Sequence, residues 1–146
     1  MPATTKRTRM IHFPAVLVCT LVNMALGIVW YGPLFGKQWA RLIGMTPDRK
    51  KDPKYHRRTR QGMIVSAFSH FMTAVVLSYA VRTLGASTVL DGISIAWLGW
   101  LGFSVTSMLP NTFFAGYENP WMLAAINLGY LLTCICIMGA ILTVWK

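Results

Sequence analysis

Acidic residues are nearly missing from this 146-residue chain: Asp and Glu together number 4, against 14 Lys and Arg. Charge of either sign is missing altogether from four windows, 11–31, 62–81, 92–110 and 121–145. Charged residues make up only 12% of the chain, about half the roughly 25% of an average soluble domain. That shortage excludes an ordinary soluble globule. With three Cys and three His as well, little is left from which to build an acid–base pair, a metal cage or an activated nucleophile.

What is present is hydrophobic length. Each uncharged window is long enough, or nearly so, to cross a hydrocarbon core of about 30 Å, which takes roughly 20 residues of helix. The expected fold is all-α: an integral membrane four-helix up-down-up-down bundle. Residues 1–10 form a basic N-terminal tail and 11–146 a single membrane domain. The apolar run 11–31 exceeds the roughly 7–15 residues of a signal-peptide core, so it reads as a retained first span. The basic, acid-free tail is also compatible with mitochondrial targeting. No separate soluble catalytic domain fits into the tails and loops, since domains under about 50 residues are rare.

The long connection 32–61 opens with Trp30-Tyr31-Gly32-Pro33-Leu34-Phe35-Gly36-Lys37-Gln38-Trp39. Pro33 is expected to end the first helix, because the residue before a proline avoids helical geometry. Apolar residues between Leu34 and Met45 recur as in a short helix lying flat in the interface. The stretch 48–60, with Pro47 and Pro53, reads as a solvated basic loop. The third span is expected to stop at Pro110, followed by a tight turn over 111–120.

Nine basic residues lie on the side of this loop: Lys37, Arg41, Arg49, Lys50, Lys51, Lys54, Arg57, Arg58 and Arg60. Five lie opposite: Lys6, Arg7, Arg9, Arg82 and Lys146. The positive-inside rule then puts the long loop in the cytosol, or in the matrix of a mitochondrial inner membrane, with both termini opposite. A bacterial version would sit in the plasma membrane. The net charge of +10 reports orientation in this reading and not nucleic-acid binding. Lys37, Arg41, Arg57, Arg58 and Arg60 are candidate contacts for anionic lipid headgroups or a partner.

Within the spans, small residues mark close helix packing: Ala15, Cys19, Asn23 and Gly27 on the first, Gly92, Ala96 and Gly99 on the third, and Ala125, Gly129, Thr133, Cys136 and Ala140 on the fourth. Cys134 and Cys136 point to nearly opposite faces of one helix, so all three cysteines read as packing residues. On the second span Ser66, Ser69, His70 and Thr73 follow helical spacing and form a polar face. An ionisable residue inside a membrane is costly unless paired, and the candidate partners of His70 are Asn23, Asn127 and Tyr130. Trp30, Tyr31, Trp39, Trp121 and Trp145 stand at span ends, where interfacial anchors belong. A single intramembrane His excludes a bis-His haem, and no cofactor or metal site is expected. The first and third spans share a pattern of Pro, then Phe and Gly (Pro33, Phe35, Gly36 and Pro110, Phe113, Phe114, Gly116), then Trp39 and Trp121, a weak internal repeat of the kind found in transporters.

These motifs resemble the uncharacterised membrane family known as domain of unknown function 1761. The resemblance rests on the Trp30 to Trp39 motif, on Trp100-Leu101-Gly102-Phe103 and Phe114-Ala115-Gly116, and on Ile126-Asn127-Leu128-Gly129-Tyr130 and Met138-Gly139-Ala140-Ile141-Leu142. It implies four spans and carries no reaction; the basic stretch 49–60 departs from the pattern.

Three functions compete. The first is a non-catalytic accessory or assembly subunit of a larger membrane complex, with other membrane subunits or further copies as partners. The second is a small homo-oligomeric transporter or channel that uses the polar face around His70. The third, a lipid enzyme, would have to draw on Asp48, Asp52, His56 and Glu118, whose spacing matches no metal or hydrolase pattern.

Overall fold

The computed structural model describes residues 11–145, apart from the side chains at 49 and 50. The basic tail at 1–10 and Lys146 lie outside the described residues. Seven α-helical segments and two π-helical turns follow one another, with no strand among the described residues.

Helix α1 runs Phe13–Val29 and starts with Pro14 in its first turn, where the fixed φ suits a helix and the missing N–H costs nothing. It continues without a break into a π turn, Trp30–Leu34. Pro33 therefore sits inside the helix and does not end it. A proline ring collides with the carbonyl one α turn back, and the wider π turn, closed by the Phe35 N–H on the Trp30 carbonyl at 2.8 Å, gives it room. Gly36 follows, at a point where a Cβ would collide with the Tyr31 carbonyl. The short helix α2, Gly36–Leu42, follows.

The solvated loop expected at 48–60 is largely helical. Helix α3 spans Pro47–Lys51, and α4 is a 31-residue helix, Pro53–Thr83. Pro47 and Pro53 open helices instead of punctuating a loop, and Asp52 caps α4 by accepting the Lys54 N–H at 2.8 Å. At 1.5 Å per residue α4 is about 46 Å long, well over the hydrocarbon thickness.

Helix α5, Val89–Gly99, begins in a capping box. The Asp91 N–H donates to Thr88 Oγ1 at 3.2 Å and the Thr88 N–H to Asp91 Oδ2 at 2.8 Å. A second π turn, Trp100–Val105, joins it to α6, Thr106–Phe114. Pro110 again lies inside the helix and not at its end. Its missing N–H withdraws the usual donor from the Thr106 carbonyl one α turn back, and the neighbouring Asn111 side chain donates to the Ser107 carbonyl at 2.8 Å. Asn119 caps α7, Pro120–Val144, by accepting the Met122 N–H at 3.1 Å.

Four of these helices are long and apolar enough to cross a membrane: Phe13–Leu34, Pro53–Thr83, Val89–Phe114 and Pro120–Val144. Helix α7 is the hub and packs on α1, α4 and α5. Its residues fall as those of α1 rise (Asn23 to Cys134, Trp30 to Ile126), so these two run antiparallel. The same holds for α5, where Gly92 meets Gly139 and Gly99 approaches Ile135. Gly92 and Gly139 lie backbone against backbone, and a Cβ on either would strike the other's carbonyl.

Away from the basic end the bundle is filled by Val16 and Cys19 of α1, Ala74 and Leu77 of α4, Ala96 of α5 and Met138 of α7. The small-residue stripe expected on α7 is not a single face: Ala125 is exposed, while Ala124, Leu128, Met138 and Gly139 are buried. A hub helix touched from several sides has no one stripe to present.

Candidate functional site

The polar residues of the spans converge on Tyr130. Its hydroxyl donates to the Asn23 backbone carbonyl at 3.1 Å and lies 2.9 Å from His70 Nε2. A carbonyl only accepts and a phenol has one proton. His70 therefore donates from Nε2 to the phenol oxygen. His70 is 8% exposed and Asn23 is fully buried. The Asn23 amide donates weakly to the Cys134 carbonyl at 3.5 Å, and its Oδ1 has no partner among the described residues. Gly27 lets the phenol in: a Cβ there would lie 2.9 Å from the Tyr130 oxygen.

A second layer lies one turn toward the basic end. Tyr31 donates to Asn127 Oδ1 at 3.0 Å, and its ring packs edge-on between Trp39 at 5.4 Å and Tyr130 at 5.1 Å. The Trp30 indole donates to the Ile126 carbonyl at 3.1 Å, and the Trp100 indole to the Leu128 carbonyl at 3.0 Å. Each π turn thus carries a Trp-x-Gly (Trp30-Tyr31-Gly32, Trp100-Leu101-Gly102) whose tryptophan is pinned to α7. This replaces the proline-based repeat read from the sequence, since Pro33 lies within the first π turn and Pro110 five residues beyond the second.

Trp30 and Tyr31 are accordingly not outward-facing interfacial anchors. Both are half-buried on α7, because their polar tips find carbonyl and amide partners there. Trp39 is also half-buried, whereas Trp121 is 66% exposed and Trp145 41%. The polar face expected on α4 divides. His70 points inward, Ser66 lines a cleft, and Ser69 and Thr73 are exposed, with the Thr73 hydroxyl donating to the Ser69 carbonyl at 2.9 Å. Lys37, Arg41, Arg57, Arg58 and Arg60 are all exposed. The ion pair found among the described residues is Lys51 with Asp48, at 3.9 Å. No cluster of three or more His, Cys, Asp or Glu forms among them.

The cleft bordered by Ser66 has a volume of about 640 Å³ and opens at the basic end between α1, α4 and α7. Tyr31, Asn127 and Tyr130 form its polar wall, and Met24, Met63 and Leu131 its apolar one. A neighbouring hollow of about 440 Å³ shares Trp39, Met108 and Asn127 with it. A third, about 620 Å³ and almost wholly apolar, separates α4 from α5 around Val76, Leu98 and Phe103.

A family model described as "Protein of unknown function (DUF1761)" matches residues 14–143. The chain belongs to this family. Comparisons with curated proteins and with solved structures return no match. The DUF1761 match takes in both π turns, the Tyr130 network and the whole cleft lining, so the site lies inside the unit that defines the family.

The inward roles of Tyr31 and Trp100, and the open space at Gly62 beside the cleft, were not legible in the sequence, whereas the close approach at Gly27 was. The signal available for the tryptophans was the Trp-x-Gly pattern recurring in two spans.

Proposed function

We infer that this protein is a non-enzymatic accessory or assembly subunit of a larger membrane complex, engaging a partner's transmembrane helix along α5 and α6. The observation that carries this reading is the exposure of the third span, whose most apolar window is only 11% buried, with Ser107 and Asn111 exposed near its end on the rim of the hollow of about 440 Å³ beside Trp39 and Asn127. Both side chains are held by carbonyls of their own helix, Ser107 by Phe103 and Asn111 by Ser107, and both keep acceptor capacity for a donor on another helix. Hydrogen bonds from such residues join helices in membranes.

A conducting role is less well supported. The cleft leads from the basic end to the Tyr130 network, and beyond it lies the buried layer of Val16, Cys19, Ala74, Ala96 and Met138. Extraction in a mild detergent should return a stoichiometric partner, and Ser107→Leu with Asn111→Leu should release it while leaving the fold intact. A clean monomer from native membranes would overturn the reading.

The transporter reading draws on the paired π turns, since π turns are frequent at functional sites and here two of them face one helix. It expects proteoliposome flux with a pH profile altered in His70→Ala. Absent flux, or flux indifferent to that substitution, removes it.

A further inference from the structure

We propose that the cleft between α1, α4 and α7 holds one anionic phospholipid, its phosphate at the mouth beside Thr59, where Arg58 and Arg60 leave α4 on either side, and one acyl chain along Met24, Met63 and Leu131. This stands on the cleft alone and does not depend on the α5–α6 face or on the accessory role.

Depth is the first argument. Helix α4 overshoots the hydrocarbon, and its uncharged stretch begins only at Gly62. Thr59, Gly62, Met63 and Ser66 line the cleft, so its mouth lies at the headgroup boundary and its floor two turns deeper. Charge is the second. Arg58 and Arg60 flank Thr59, with Lys54 and Arg57 in the turn before, and α4 contains no acid. These side chains are exposed and outside the ion pair found among the described residues. Basic clusters where a helix leaves the membrane attract anionic lipid.

Donor chemistry is the third. Tyr31 occupies Asn127 Oδ1, which leaves the amide N–H₂ to donate into the cleft, and the Ser66 hydroxyl has no partner among the described hydrogen bonds. Both suit the carbonyl of a glycerol ester. Size is the fourth. A volume of about 640 Å³ lies within the roughly 300–1,000 Å³ of small-molecule sites. A helix 10–12 Å across would fill that space in only about five residues, too short a contact to anchor a partner helix.

The test is native mass spectrometry of the intact protein released from phosphatidylcholine bilayers containing a minor fraction of phosphatidylglycerol. One retained phosphatidylglycerol per chain is expected. Gly62→Phe should abolish it: a Cβ at Gly62 meets nothing within 4 Å, so the ring fills the cleft without disturbing the fold, and unchanged thermal unfolding checks this. Arg58→Gln and Arg60→Gln should keep a lipid but lower the preference for phosphatidylglycerol by about fivefold each. Ser66→Trp offers an independent block of the same space. The proposal is overturned by a lipid-free chain, by equal retention of the two lipids, by equal retention in both cleft-filling variants, or by a second copy in place of the lipid.

Discussion

Tyr130 has one proton to give and two neighbours that need it or its oxygen. Replacing it with Phe leaves the Asn23 carbonyl with only its intrahelical donor and His70 Nε2 without its partner in a buried setting, whereas the aromatic contacts with Tyr31 and Trp30 survive. Intramembrane hydrogen bonds are worth about 0.6 kcal/mol on average and up to about 1.7. Two are lost, so Tyr130→Phe should destabilise by about 1–2 kcal/mol in reversible unfolding in bicelles. His70→Ala in the Tyr130→Phe background should cost less than in the wild type, because half of its reason for being buried is already gone. Full additivity of the two would show that the 2.9 Å contact carries no energy. The residue types of this network were legible in the sequence, as an ionisable or amide group in an uncharged span stands out. Its geometry was not. Helical spacing grouped Ser66, Ser69, His70 and Thr73 on one face, but which of them turns inward depends on how α4 packs against α1 and α7.

At the scale of elements, prolines misled and caps did not. Pro33 and Pro110 suggest helix stops, and Pro47 and Pro53 suggest the punctuation of a loop. The latter two instead start helices and the former two lie inside, Pro33 accommodated by a π turn. A change from α to π hydrogen bonding spans only five or six residues and leaves no periodicity to detect, which is why both π turns were invisible. The α5 start is more orthodox, and its capping box yields a plain expectation: Thr88→Val should cost about 1 kcal/mol and Asp91→Ala should destabilise in the same direction, both read as earlier unfolding. The two indole bonds to α7 offer another. Trp30→Phe and Trp100→Phe, which keep most of the ring, should each lose about 0.5–1 kcal/mol. Their effects should add, because the two tryptophans come from different spans and meet different carbonyls.

For the whole molecule, the number and approximate extent of the spans followed from where charge is absent, because the bilayer penalises charge whatever the detailed packing. The central position of α7 did not follow, since its mean hydropathy of 2.1 barely exceeds the 2.0 of the first span. The Gly92–Gly139 contact is the tightest test of that arrangement. Gly92→Leu or Gly139→Leu cannot be accommodated by a rotamer change, as the obstacle is backbone. Either should detach α5 and α6 from α7 and lower the folded yield in gel filtration severely. Leucine at Gly102, where a Cβ meets nothing within 4 Å, should leave the yield intact.

Helix α4 is one uninterrupted rod from its arginines to His70 and on to Thr83. It therefore acts as a lever that pivots where it packs against α1 and α7. A helix longer than the bilayer is thick responds to thickness by tilting, and any part of that tilt taken up between α4 and α7 displaces His70 relative to Tyr130. The 2.9 Å contact is then the point at which a load on the arginine end of α4 reaches a buried polar group of the bundle.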